Sequence, residues 1–146
     1  MIRAMDAAKY ILYLGRHNQV AVNPITLQYL LYFAQLLSFE DTGKALFCDS
    51  EIEAWDFGPC VPVVYYRYCH FGTSDICLLL GDIERPNIPL QAMSILEEVF
   101  EDKADIPYFS LIKEIQQQGT PYQKAYVPHK NKIIRLSRRR QENECR

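Results

Sequence analysis

No run of apolar residues in this sequence is long enough to cross a bilayer. Stretches such as ICLLL (76–80) fall far short of the ~20 residues a spanning helix needs. The opening MIRAMDAAKYILYLG carries Asp6 and Lys9 ahead of a short apolar patch, which is not the pattern of a secretory leader. A cytoplasmic protein with no membrane contact is the expectation. There is no CxxC pair. The five cysteines (Cys48, Cys60, Cys69, Cys77 and Cys145) are odd in number, and the closest two lie eight residues apart, so a disulfide framework is not expected. Adjacent Cys69 and His70 do not have zinc-knuckle spacing, and no metal is expected. The cysteines read as small hydrophobes. Histidine is scarce too: His17, His70 and His129 sit in no catalytic spacing, and the chain has neither a glycine-rich phosphate loop nor an HExxH helix. Glu51, Glu53 and Asp56 are near in sequence, but strand alternation separates Asp56 from the two glutamates. Neither catalysis nor a cofactor is expected.

What the chain does contain is enough apolar material for a core. Its 146 residues are 49% hydrophobic and 23% charged, which suits one ordinary domain. The net charge of −2 is unevenly spread. From His129 onward seven Lys/Arg face Glu142 and Glu144, a local +5 that leaves −7 on the remainder. The division is thus an acidic body, 1–128, and a basic segment, 129–146, either part of that domain or appended to it.

Helical spacing dominates the body. Asp6 is a candidate N-cap, Ala7, Tyr10, Ile11 and Leu14 follow at i, i+3, i+4 and i+7, and Gly15 offers a stop. Asn23-Pro24 opens a second helix in the favoured N-cap/N1 order, with a stripe of Leu27, Leu30, Leu31, Ala34 and Leu37. Tyr29, Tyr32 and Phe33 add bulk on its flanks, so this helix should be central. ALF (45–47) and EIEAW (51–55) alternate like two short strands of a hairpin, ended by Gly58-Pro59. Pro62 begins a helix over about 61–70 with Gly72 as its stop, and 76–80 reads as a further short strand. Helical spacing returns after Pro89 and over 106–117, closed by Gly119. Thr120-Pro121 starts another helix, and NKIIRLSRRRQENE (131–144) reads as a helix with a basic face. The fold expected is mainly α: a single-domain helical bundle with a small β-hairpin or short sheet after the second helix.

Several blocks carry a family pattern. Leu27-Gln28, Leu30-Leu31-Tyr32-Phe33-Ala34-Gln35, Gly43-Lys44, Leu46-Phe47, Ile52-Glu53-Ala54-Trp55, Gly58-Pro59, Val61-Pro62 and Val64-Tyr65 keep both identity and spacing. Together they resemble the Panacea domain of SocA-like antitoxins and phage-associated GepA-type proteins. The pattern covers about the first half of the chain. Later it departs: relatives carry a His and an acid just before Pro-Trp, where this chain has Gln117, Gly119, Pro121 and Tyr122. Tyr29 stands where relatives usually have Lys. The resemblance implies an antitoxin of a type II toxin–antitoxin or phage-defence pair, binding a cognate protein toxin encoded beside it. Some relatives act instead as adaptors delivering the toxin to a AAA+ protease.

Two surfaces follow as candidates. Aromatic residues concentrate in EIEAWDFGPCVPVVYYRYCHFG (51–72), which reads either as a core corner or as a recognition face. The toxin-contact candidates are Tyr29, Tyr32, Trp55, Asp56, Phe57, Tyr65, Tyr66 and Tyr68. On a helix beginning at Pro62, Tyr66 turns roughly 100° away from Tyr65, so at least one tyrosine should be exposed. The basic residues Arg135, Arg138, Arg139 and Arg140 read as a solvated end, as a contact for an acidic partner or this chain's own acidic body, or as a phosphate contact in autoregulatory DNA binding. No helix-turn-helix accompanies them. Self-association is left open.

Overall fold

The Asn23 side chain accepts the Thr26 N–H at 2.8 Å, and Pro24 takes the first helical position, where no N–H is needed. From that start α2 (Pro24–Thr42) runs 19 residues to Gly43, whose φ of 74° closes it in the left-handed region. Leu27, Gln28, Tyr29, Leu30, Leu31, Tyr32, Ala34, Gln35 and Ser38 are all buried, so the helix is covered on nearly every side. The rest of the chain is arranged round it. The computed structural model describes residues 1–136.

Among the described residues the chain forms seven α-helices, a 3-10 turn and one small sheet. α1 (Ala4–Asn18), α5 (Leu90–Lys103) and α6 (Tyr108–Ile115) pack against α2. α3 (Pro62–Tyr68) continues into the 3-10 turn Cys69–Phe71, which Gly72 ends at φ 64°. α4 (Ile76–Leu80) and α7 (Pro121–Ala125) are short, and side chains cap both. Asp75 accepts the Cys77 N–H at 3.0 Å and Thr120 accepts the Gln123 N–H at 3.2 Å. β1 (Glu53–Trp55) lies between β2 (Gly58–Cys60) and β3 (Lys132–Ile133), antiparallel to both. The mainly helical bundle with a small sheet after its second helix is therefore what forms. No helix among the described residues is long and apolar enough to cross a membrane.

Several local expectations are corrected. α1 begins at Ala4, and Asp6 serves as a third-position acceptor for the Arg3 N–H at 3.4 Å. The Ala4 N–H is taken by Asp49 Oδ1 at 2.8 Å. Gly15 does not stop the helix, which runs on to Asn18 and closes at Gln19 (φ 58°). The pairing partner of EIEAW is the Gly58–Cys60 strand across a two-residue turn, not ALF, which contributes a lone parallel bridge from Phe47 to Ile2. Gly58-Pro59 thus builds the edge strand it was expected to end, and an edge is where a sheet tolerates proline. Residues 76–80 are helical because the Asp75 cap supplies a start that apolar runs alone do not reveal. The expected basic-faced helix is replaced, in its described part, by β3, and its remainder, 137–144, lies outside the described residues.

Gly15 is buried where α1 meets α4. A Cβ there would stand 2.8 Å from Cys77 Sγ, 2.9 Å from Val22 Cγ2 and 3.0 Å from the Val20 carbonyl. Two effects oppose each other in Gly15→Ala: helix propensity gains ~1 kcal/mol, while overpacking costs ~1–3 kcal/mol. The Val20 backbone and the β-branched Val22 cannot swing aside, so the clash wins. Urea unfolding should show a net loss of ~1 kcal/mol.

Candidate functional site

Polar groups on a buried helix must find partners, and those of α2 find them in the backbone of residues 44–61 and of Tyr122. Ser38 Oγ donates to the Lys44 carbonyl at 2.8 Å. Gln35 accepts the Leu46 N–H at 2.8 Å and donates to the Phe47 carbonyl at 2.8 Å. Gln28 Oε1 accepts the Val61 N–H at 2.7 Å. The Tyr29 hydroxyl donates to the Phe57 carbonyl. Tyr32, one turn on, accepts the Tyr122 N–H at 3.2 Å, and Tyr122 donates its own hydroxyl to the Trp55 carbonyl at 2.6 Å. No buried side-chain polar atom of the described residues is left without a partner.

The turn between β1 and β2 is therefore held from beneath by two hydroxyls. Gly58 makes that approach possible. At φ 138° its backbone favours glycine, and a Cβ would stand 2.5 Å from Tyr29 Cε1. On the outer side Asp56 accepts the Tyr126 hydroxyl and the His129 N–H, each at 2.9 Å, and meets His129 Nδ1 at 2.5 Å. The His129 N–H and the Tyr126 hydroxyl together hold the Asp56 carboxyl below the usual carboxylate range.

Above this base lies an aromatic cluster. Trp55 stands 5.8 Å from Phe57, 5.2 Å from Tyr65 and 6.2 Å from Tyr66, ring centre to ring centre. Phe57 stacks on Tyr65 at 5.5 Å, and Tyr65 meets Tyr66 edge-on at 5.6 Å. The Trp55 indole N–H donates to Glu53 Oε1 at 2.8 Å, which fixes the ring's orientation. Trp55, Phe57 and Tyr65 are half-buried, while Tyr66 is 68% exposed.

Eight residues were candidates for partner contact, and they divide. Trp55, Phe57, Tyr65 and Tyr66 share one partly exposed cluster, with Asp56 beside it at the turn. Tyr29, Tyr32 and Tyr68 are corrected: each is at most 2% exposed, and in the free chain they belong to the core. The first two are drawn inward by the hydrogen bonds just described, and Tyr68 by its place beside Val64 on the buried face of α3. Arg135 is exposed beyond β3, whereas Arg138, Arg139 and Arg140 lie outside the described residues. Sequence reasoning missed the brace from Tyr126 and His129, since nothing local links residue 56 to residues seventy positions later. Among the described residues no group of three or more His, Cys, Asp or Glu side chains is placed to hold a metal ion.

Tyr29 and Tyr122 donate to carbonyls two residues apart on one turn. Gly119 adopts φ 91°, and its N–H is accepted by Gln123 at 3.0 Å, so the stretch before α7 is a helix entry.

Burial keeps these hydroxyls protonated well beyond pH 10, their ordinary value. Desolvation pushes Tyr32 up to about 12 and raises Tyr29 and Tyr122 further. They ionise more readily unfolded than folded, so their contribution is intact below pH 10 and drains as pH rises through the folded values. The buried thiols of Cys60 and Cys77, likewise raised by burial, add to the same loss from about pH 9. The urea midpoint should be level from neutral pH to about 9 and fall beyond it. Tyr122→Phe, which removes one of the two donors to the Trp55 carbonyl, should cost ~1 kcal/mol at neutral pH and make the alkaline fall shallower.

The family described as "Antitoxin SocA-like, Panacea domain" matches residues 27–121, from α2 to the first residue of α7. No curated protein and no solved structure matches the chain. The matched stretch is the central helix together with the segment it holds and most of the helices packed round it, and this chain belongs to the SocA-like antitoxin family with the Panacea domain.

Proposed function

We propose that this chain is the antitoxin of a type II toxin–antitoxin or phage-defence pair and neutralises its cognate protein toxin by direct, stoichiometric binding. Family membership supports the antitoxin role. The observation that carries the binding mode is the cluster of Trp55, Phe57, Tyr65 and Tyr66, four neighbouring rings at the surface of a rigid turn. Large aromatics at the centre of an interface supply most of its binding energy. A backbone already fixed by buried hydrogen bonds loses little conformational entropy on association. The acidic body, −7 before residue 129, favours encounter with a basic face of the toxin.

The mechanism is occlusion: the aromatic face covers the toxin's active or target-binding surface, with no covalent step. Asp56 is largely committed to Tyr126 and His129, so it shapes the turn and contributes little free charge. The partner is the protein encoded beside this chain.

Co-expression with that neighbour should rescue growth and yield a stable co-purifying complex. Rescue with the neighbour vanishing from the lysate would instead indicate delivery to a AAA+ protease. A harmless neighbour that does not bind would overturn the antitoxin reading. Tyr66→Ala removes a mostly exposed ring, so the free chain should keep its thermal midpoint. Its affinity for the neighbour should fall ~30-fold, the loss of ~2 kcal/mol typical of a hot spot, as read by titration calorimetry. Unchanged affinity would remove this face from the interface.

A further inference from the structure

The small sheet has two edges, and they are not alike. Its order is β2-β1-β3, so β2 and β3 each have one side unpaired within it. The Ile134 N–H donates to the Ile52 carbonyl at 2.8 Å, which turns the backbone of Ile52 and Ala54 toward β3 and that of Glu53 and Trp55 toward β2. On β2, Pro59 stands opposite Ala54, so its backbone points outward, and proline has no N–H to offer there. The strand is also buried throughout, and the next N–H, that of Val61, is taken by Gln28. This edge is closed to a further strand. β3 is the opposite case. Ile133 stands opposite Glu53, so its N–H and C=O point away from β1, and neither forms a hydrogen bond with any described residue. Ile133 is 40% exposed, and Lys132 beside it is exposed as well.

Charge along the open edge selects its occupant. Residues 129–136 contain no Asp or Glu, and Lys130, Lys132 and Arg135 are all exposed. Arg135 faces Glu51 where the register continues, whereas Lys130 and Lys132 form no ion pair with any described residue. Lysine on an edge disfavours pairing with a second copy, which would bring like charges together. It favours a strand that carries acids. Position points to the same partner as the aromatic face. Paired residues share a side of the sheet, so Ile133 lies on the side of Glu53 and of Trp55 two residues on. A strand added beyond β3 runs ~10 Å from β1, next to the ring cluster.

We propose that the free edge of β3 takes an extended, acid-bearing segment of the toxin as a fourth strand of the sheet. Ile133 exchanges both of its outward backbone hydrogen bonds with that segment, and Lys130 and Lys132 meet its carboxylates. Backbone pairing supplies affinity that does not depend on the segment's side chains, while the lysines select among sequences. The proposal rests on the antitoxin reading for the identity of the partner. The acidic body and the basic edge meet different parts of the toxin.

Hydrogen exchange in the full chain, free and in complex with the protein encoded beside it, tests this at single amides by NMR. In the dilute free chain the Ile133 amide should exchange fast and the Ile134 amide slowly. In the complex the Ile133 amide should slow by about tenfold or more. A complex in which Ile133 exchanges as in the free chain overturns the proposal and leaves the antitoxin reading standing. A neighbour that does not bind overturns both. Protection of Ile133 already present in the dilute free chain, or growing with that chain's own concentration, assigns the edge to the chain itself or to a second copy and also overturns it. Two variants give a second measurement. Ile133→Pro removes the outward N–H, spares the bonds from Lys132 and Ile134 to β1, and makes this edge resemble that of β2. Ile133→Val keeps the N–H. With the Ile134 amide still protected in both, affinity for the neighbour should fall about tenfold in the proline variant and stay within about twofold in the valine variant. Equal affinities overturn the proposal.

Discussion

Two tyrosine hydroxyls, from Tyr29 and Tyr122, donate to the carbonyls of Phe57 and Trp55, and most of this structure depends on that pair. A two-residue turn between short strands leaves the Phe57 carbonyl outside the ladder, while the Trp55 carbonyl, paired with Gly58, keeps a second lone pair free for Tyr122. In the interior an orphaned carbonyl would cost ~1–3 kcal/mol. Here the donors come from opposite ends of the sequence, one on α2 and one on α7. Tyr32 then accepts the Tyr122 N–H, so the first turn of α7 is fixed to the central helix as well. The hairpin turn, the central helix and the last helix consequently behave as one unit. Gly58 is the steric condition for it, since only a residue without a Cβ admits the Tyr29 ring so close.

The same logic extends along α2. A helix covered on nearly all sides would ordinarily be uniformly apolar, yet this one buries Gln28, Gln35 and Ser38. Each serves backbone in the excursion that follows the helix, at Val61, at Leu46 and Phe47, and at Lys44. Irregular backbone is seldom buried because its N–H and C=O groups lack regular partners. Three side chains on one helix make that burial tolerable. The motif blocks Leu27-Gln28 and Leu30–Gln35 thus have a physical counterpart in the blocks Gly43–Phe47 and Ile52–Pro62: polar residues of the first hold the backbone of the second.

This division explains what could be read in the sequence and what could not. The starts of α2, α3 and α7 were legible because Asn23-Pro24, Pro62 and Thr120-Pro121 are local signals, and the apolar stripe of α2 marked it as central. The partner of the β1 strand was not. Strands of three residues carry almost no period, and both ALF and Gly58–Cys60 are close enough in sequence to pair. β3 was invisible for a different reason, since its partner stands some eighty residues earlier. Gly15 read as a helix stop because its real constraint, contact with Cys77 and Val22, is tertiary. At the candidate site, the clustering of aromatics in 51–72 was plain, and the turn of Tyr66 away from Tyr65 correctly placed one ring outside. The burial of Tyr29 and Tyr32 was hidden because a tyrosine on a helix flank suits a surface and a core equally. The carbonyls of Phe57 and the N–H of Tyr122 decided it.

The buried and exposed aromatics divide the work. Tyr29, Tyr32 and Tyr122 lie under the turn with their hydroxyls satisfied, whereas Trp55, Phe57, Tyr65 and Tyr66 lie over it with their faces partly open. A cluster of exposed rings on a mobile loop would collapse onto itself and be costly to order on binding. Here the ring positions are set by backbone that cannot shift without breaking buried hydrogen bonds, and Glu53 holds the indole by its N–H. Stability below therefore becomes preorganisation above. It also separates the two roles genetically: changes beneath the turn act on the fold, and changes at Tyr66 act on the surface. The surface can then vary while the clamp beneath it stays in place.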